Sequence, residues 1–350
     1  MTDAPREEIL EPDLPIIDPH HHLWRGRASH EQPPVHGFNK VLEMVPDYMF
    51  DEMLADMNSG HDVRATVFVD CRAFYRDGGP EGFETLGETE FANGVGALAA
   101  SGQFGPKRMC AGIVSRVDLT LGDLAGAVLE AHMHRAPDRF RGIRNVGAND
   151  EDRAVSGPMH GRAPAGLYLD PTFRKGFAHL QRLGLSFDAW VFEPQLGDVI
   201  DLARAFPETS IILDHVGTPV NIGRWAGTLE ERRPHWLASI KALAECPNVT
   251  VKLGGLAMSF CNLEGFLSEP PASSEVLAKA WAPWIEPVVE AFGADRCMME
   301  SNFPVDRGAC TYATLWNALK RVASGASDAE KAALFHGTAS RVYRVALPAA

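Results

Sequence analysis

Long apolar runs are missing. No stretch of the 350 residues approaches the roughly 20 apolar residues that a membrane-spanning helix requires, so no membrane partner is expected. The opening segment, MTDAPREEILEPDLP, is acidic and broken by proline. It lacks the basic start and apolar run of a secretory signal, and a cytoplasmic location is the expectation. Cysteine is sparse: Cys71, Cys110, Cys246, Cys261, Cys297 and Cys310 form no C-x-x-C pair. A chain this long has no need of disulfide staples, and the six read as reduced, mostly buried thiols. Positive charge is in deficit. Lys and Arg number 33 against 46 Asp and Glu, a formal net charge of -13. Such a surface disfavours nucleic acid and anionic membranes, while a local basic pocket for a small anion remains compatible with it.

What is present is a regular alternation. Short β-rich apolar runs fall at 14–18, 65–70, 109–114, 140–145, 185–191, 210–214, 249–253 and 297–300. Helical periodicity fills 119–134, 172–183, 195–205, 234–245, 276–292, 312–324 and 328–343. Eight strands with intervening helices predict an α/β protein, a single (β/α)8 TIM barrel over residues 1–350. A doubly wound sheet would want a glycine-rich phosphate turn after the first strand. Histidines and a tryptophan stand there instead. Two stretches, 24–47 and 72–106, exceed ordinary loops. They follow strands 1 and 2, so they sit at the strand C-terminal face, where long loops commonly cover substrates.

The strand ends carry the chemistry. In Asp18-Pro19-His20-His21-His22, strand alternation puts Asp18, His20 and His22 on one face and His21 on the other. Two imidazoles at that spacing grip one divalent metal or an anionic substrate. Strand 6 runs into Asp214-His215-Val216-Gly217, which puts His215 on the same rim. Strand 8 runs into Glu300-Ser301-Asn302-Phe303-Pro304, with Glu300 and Asn302 on one face roughly 6–7 Å apart along the strand. Asp306 lies in the loop beyond, as a substrate contact or a turn residue. Arg144 ends strand 4 and suits a bidentate grip on a carboxylate, its alternative being a surface ion pair. Lys252 on strand 7 offers a weaker version of the same. Trp190 and Gln195 flank the end of strand 5, either as pocket lining or as core. Glu88 and Glu90 in the second long loop read as helix N-terminal carboxylates.

Together these pieces resemble the amidohydrolase superfamily. More narrowly, they resemble the amidohydrolase-related branch that contains 2-pyrone-4,6-dicarboxylate lactonase and the L-fuconolactonase type of sugar lactonase. The resemblance spans Ile16 to Tyr343. It rests on Asp18, His20 and His22 of strand 1 and on Gly142-Ile143-Arg144 of strand 4. It rests further on Asp214, His215, Gly217 and Pro219 after strand 6, and on Thr338, Ala339, Arg341 and Tyr343 in the closing helix. It implies a hydrolase that opens a lactone or similar cyclic ester of a small carboxylated metabolite. A decarboxylase or other lyase, or a barrel without activity, is the alternative.

One departure matters. Where the family's strand 8 usually carries an aspartate that activates water, this chain has Asn302. A neutral amide cannot accept that proton. His215 and Glu300 are the leading replacements, ahead of Asp306. No histidine marks strand 5, which argues against a two-metal site. No cofactor is obligatory in this branch. One zinc held by His20, His22 and His215 is compatible with the pattern, and without metal those imidazoles would polarise a carbonyl instead. The expected partner is a small carboxylated substrate, with a homodimer as a common assembly.

Overall fold

A computed structural model describes residues 7–26, 36–157 and 163–348. Eight parallel strands form one sheet in sequential order. They are β1 (Ile16–His21), β2 (Val63–Val69), β3 (Arg108–Ser115), β4 (Phe140–Arg144), β5 (Ser186–Ala189), β6 (Ile211–Leu213), β7 (Val249–Leu253) and β8 (Cys297–Met299). The chain just beyond β8 returns to β1: the Asn302 amide donates to the His20 carbonyl at 2.9 Å, and the His22 amide to Phe303 at 2.8 Å. This is the expected (β/α)8 barrel. Among the described residues no helix is long and apolar enough to cross a membrane. No disulfide joins the six cysteines, and five of them are buried.

Two apolar layers follow from strand alternation. Ile17, Val67, Val114, Ile212 and Met298 meet inside the barrel. Their neighbours on the same strands, such as Phe68, Ile113, Ile211 and Met299, pack outward under the helices. The helix Thr338–Tyr343 and the turn after it close the barrel's lower end with Ala339, Tyr343 and Val345.

The structure corrects the expected phase of β1. The register against β2 shifts between Asp18 and His21, around Pro19, which has no N–H to give the ladder. The shift reverses the alternation. Asp18 turns outward and accepts from the Ser301 amide at 3.0 Å, the Ser301 hydroxyl at 2.6 Å and the Tyr312 hydroxyl at 2.9 Å. It therefore fastens the β8–β1 seam rather than sharing a face with His20. His20 points inward. His21 faces out, against Thr66 and Phe68.

Other boundaries differ in detail. The first long connection contains the helices Gly37–Met44 and Phe50–Met57, while residues 27–35 lie outside the described residues. The 119–134 helix is divided into a 3₁₀ turn, Leu119–Leu121, and a helix, Leu124–Arg135. Gly122, at φ 57°, makes the break in a left-handed conformation that suits glycine. The final helix is interrupted by a wider π turn at Ala333–Gly337.

Candidate active site

Inward-pointing residues at the strand ends converge on one buried charge network. Glu300, fully buried just after β8, spans two imidazoles. One carboxylate oxygen lies 2.8 Å from His20 Nδ1 and the other 2.6 Å from His215 Nδ1. Glycines make this fit possible. A Cβ on Gly254 would stand 2.4 Å from Glu300 Cγ, and one on Gly255 would stand 2.3 Å from His215 Nδ1.

A carboxylate only accepts, so His215 Nδ1 carries a proton. His20 Nδ1 stands between the Glu300 carboxylate and the Lys252 ammonium, and its Nε2 lies 3.4 Å from an Arg144 guanidinium nitrogen. His22 Nδ1 lies 2.7 Å from the Val69 carbonyl and is likewise a donor. His22 and His215 therefore turn an Nε2 lone pair away from their anchors. The rings are adjacent, with centroids 4.9 Å apart for His20 and His22 and 4.7 Å for His20 and His215. Burial, together with the cations Lys252 and Arg144, holds His20 well below the ordinary histidine range. Burial and Arg144 do the same to His22. Both are neutral near pH 7.

Below the rings lies a cation held by acids. Lys252, fully buried, hydrogen-bonds Asp188 at 2.6 Å and stands as an ion pair 3.2 Å from Asp214, and its ammonium lies 3.2 Å from His20 Nδ1. Burial opposes its charge, but Asp188, Asp214 and Glu300 outweigh that and raise it above the usual lysine value. Asp188 also accepts from the Tyr343 hydroxyl at 2.8 Å. Burial lifts Asp188 to about 6, with Lys252 pulling the other way. Asp214 is buried too, yet Lys252, His215 and Arg144 hold it below the usual range.

Arg144 sits at the open end. One guanidinium nitrogen is 3.6 Å from Asp214, another donates to the Asp70 carbonyl, and the group lies 5.6 Å from the Trp190 ring. Trp190 is half-buried and packs on Phe260, which in turn meets His36 at the start of the helix Gly37–Met44. That helix roofs one side of the mouth.

The structure thus brings together His20, His22, His215, Glu300, Arg144, Lys252 and Trp190. Three other sequence candidates are occupied elsewhere. Gln195 spends its amide on the backbone of Asn149 and Gly147, at 2.9 and 2.8 Å. Asn302 donates to Asp306 at 2.7 Å, and burial pushes the Asp306 carboxyl well up. Lys252 lies too deep to meet a ligand at the mouth. Glu88 is buried rather than a simple helix-end carboxylate. It gathers the amides of Cys71, Arg72 and Ala73 and so shapes the loop after β2. Glu90 stays at the surface with Arg76 and Arg135. Asp188 and His36 escaped sequence reasoning. Asp188 stands in a four-residue strand with no surrounding pattern, and His36 in a proline-rich connection whose path the sequence does not reveal.

The donor set suits a divalent cation. His20, Asp214 and His215 each offer a ligand atom, all within 4.8 Å of one another. Both Asp214 oxygens are buried without a hydrogen-bond partner among the described residues.

Comparison with known proteins agrees with this geometry. The sequence pattern of the family described as amidohydrolase matches residues 17–345. An uncharacterized protein of Sinorhizobium fredii, y4mH, is 32% identical over 342 residues, covering 95% of this chain and 99% of its own. An L-fucono-1,5-lactonase of Burkholderia multivorans is 29% identical, over 95% of this chain and 97% of its own. The crystal structure of an amidohydrolase from Burkholderia multivorans with bound zinc superimposes with a TM-score of 0.70 at 27% identity, covering 95% and 99% of the two chains.

Proposed function

The chain belongs to the amidohydrolase family and is a hydrolase, and from that premise we propose that it opens a lactone or similar cyclic ester of a small carboxylated metabolite. One observation carries the reading. His22 and His215, anchored through Nδ1, present Nε2 lone pairs beside Asp214, with His20 between them against Arg144. Lone pairs in that array accept protons or hold a cation. They do not donate to a carbonyl, so the metal-free carbonyl-polarising role is the weaker one for these residues.

A single divalent cation, zinc in the Burkholderia relative, would be held by His20, Asp214 and His215. When bound, it would supply Lewis acidity toward a carbonyl and lower the pKa of water. The chain's own groups do the rest. Glu300 fixes the tautomer of His215 and stands 2.8 Å from His20 Nδ1, which makes it a positioning residue rather than the base. His22 is left with a free Nε2, fixed by the Val69 carbonyl behind it, and it takes the proton from the attacking water. Lys252 keeps Asp214 ionised from below. Arg144 takes the substrate carboxylate in a bidentate grip, with Trp190 stacked beside it.

The test is the KM of an Arg144→Met variant on paired lactones with and without a carboxylate. The expected result is a rise of roughly tenfold to a hundredfold for the carboxylated lactone alone, as for a lost hydrogen bond to a charged group. Equal effects on both lactones would remove Arg144 from substrate binding. Release of carbon dioxide in place of ring opening would replace the hydrolase reading with a lyase.

A further inference from the structure

A second cavity lies at the opposite end of the barrel from the imidazoles, where the strands begin. Its volume is about 530 Å³, within the range of small-ligand sites. Four arginines line it: Arg108 at the start of β3, Arg139 and Arg141 at the start of β4, and Arg344 just after the closing helix. Among the described residues no lysine lines it, and the one acid there is Asp138. The formal lining charge is therefore 4 − 1 = +3, in a chain whose net charge is -13.

These guanidiniums are not there to pair with carboxylates. Among the described residues none of the four forms an ion pair. Their hydrogen bonds go to neutral oxygens: Arg108 to the Pro106 and Lys107 carbonyls, Arg139 to the Asn93 amide, Arg141 to the Phe140 and Asp138 carbonyls, and Arg344 to the Gly184 carbonyl. Each bond fixes a guanidinium without neutralising it. Arg141 Nε is buried with no hydrogen-bond partner among the described residues. Burial and the charges of Arg344 and Arg139 work against the Arg141 cation, with Asp138 pulling the other way. The backbone makes room for the cluster. A Cβ on Gly96 would meet Arg139 Nε at 2.7 Å, and Arg344 adopts a left-handed φ of 51° that turns the following chain under the barrel.

Mutually repelling cations, held by neutral acceptors around one cavity, are an arrangement that an anion completes. We propose that this cavity binds a small polyanion of the phosphate class, carrying two or more phosphoryl groups. The lining charge of +3 matches a di- or triphosphate better than a single carboxylate. Arginine without lysine suits bidentate contacts to phosphoryl oxygens.

Titration calorimetry of the full chain with inorganic pyrophosphate tests this. The expected result is one site per chain, with affinity that falls steeply between 50 and 200 mM salt, order-of-magnitude conditions for a multiply charged contact. The doubly substituted Arg141→Gln, Arg344→Gln protein is expected to bind at least tenfold more weakly. Arg144→Met, at the catalytic end, is expected to bind as the unaltered protein does. If the double variant fails to fold, Arg108→Gln serves, because its hydrogen bonds lie within its own turn; it too is expected to weaken binding. No heat up to millimolar pyrophosphate would overturn the proposal. So would undiminished binding in the folded Arg141, Arg344 or Arg108 variants, or loss of binding in Arg144→Met.

Discussion

At the scale of residues, Glu300 organises the site. It is buried, one oxygen accepts from His215, and the other stands 2.8 Å from His20 Nδ1. A Glu300→Gln substitution keeps the shape but removes the charge and one acceptor, so His20 and His215 are no longer held together by one carboxylate. The expected outcome is a fall in kcat of about a hundredfold or more with KM little changed, in a protein that melts within a few degrees of the unaltered one. A matching loss in KM would mean that Glu300 contacts substrate. Gly255 gives a second prediction. Its φ of 65° and the 2.3 Å approach to His215 leave no space for a methyl group. Gly255→Ala is expected to abolish turnover through displacement of His215, and to lower Tm as well. Lys252 and Glu300 were readable from sequence because alternation along β7 and β8 puts them inward, whereas His215 follows the inward Asp214 directly and reaches the site through a left-handed φ of 56°. Asp18 was not readable, because a shift at Pro19 reverses the phase. Nor was the engagement of Asn302 with Asp306, which depends on the backbone path after β8 and on the φ of 53° at Asn302.

At the scale of elements, the helices on the rim decide what the strands present. The helix Leu124–Arg135 buries His132, stacked on Phe140 and bonded to the hydroxyls of Thr85 and Thr89 at 3.1 and 2.7 Å. Thr85 donates onward to the Gly82 carbonyl, so it accepts from His132 Nε2, and Nδ1 accepts from Thr89. Burial lowers His132 to about 3. A depressed histidine favours folding above its unfolded value of 6.5, and that contribution is lost as pH falls toward 3. His132→Asn is expected to flatten the decline of Tm between pH 6.5 and 4, measured by thermal melts. An unchanged slope would mean another group controls acid unfolding. Helix existence was legible where the apolar period ran for three turns or more. The helices Gly37–Met44 and Phe50–Met57 span only eight residues each and sit among prolines, too short for periodicity to separate them from loop.

At the scale of the whole molecule, the barrel is closed from below by its own last helix. Tyr343 sends its hydroxyl to Asp188 while its ring lies 5.3 Å from the Lys252 ammonium, so the lower seal and the catalytic network share atoms. Tyr343→Phe removes one buried hydrogen bond to a charged group, a loss of about 1.5–3 kcal/mol. Denaturant unfolding is expected to stay a single transition, with a lower midpoint. Two separated transitions would contradict one cooperative barrel.

Opening of a cyclic ester by the imidazole and Glu300 array releases an acid. The most direct measurement is acid release from a panel of sugar lactones and carboxylated lactones, followed with a pH indicator, for the unaltered protein and for His22→Ala. The unaltered protein is expected to open at least one carboxylated lactone, and folded His22→Ala to lose about a hundredfold or more of that activity. Full activity in His22→Ala, or no lactone opened by the unaltered protein in the presence of zinc, would contradict it.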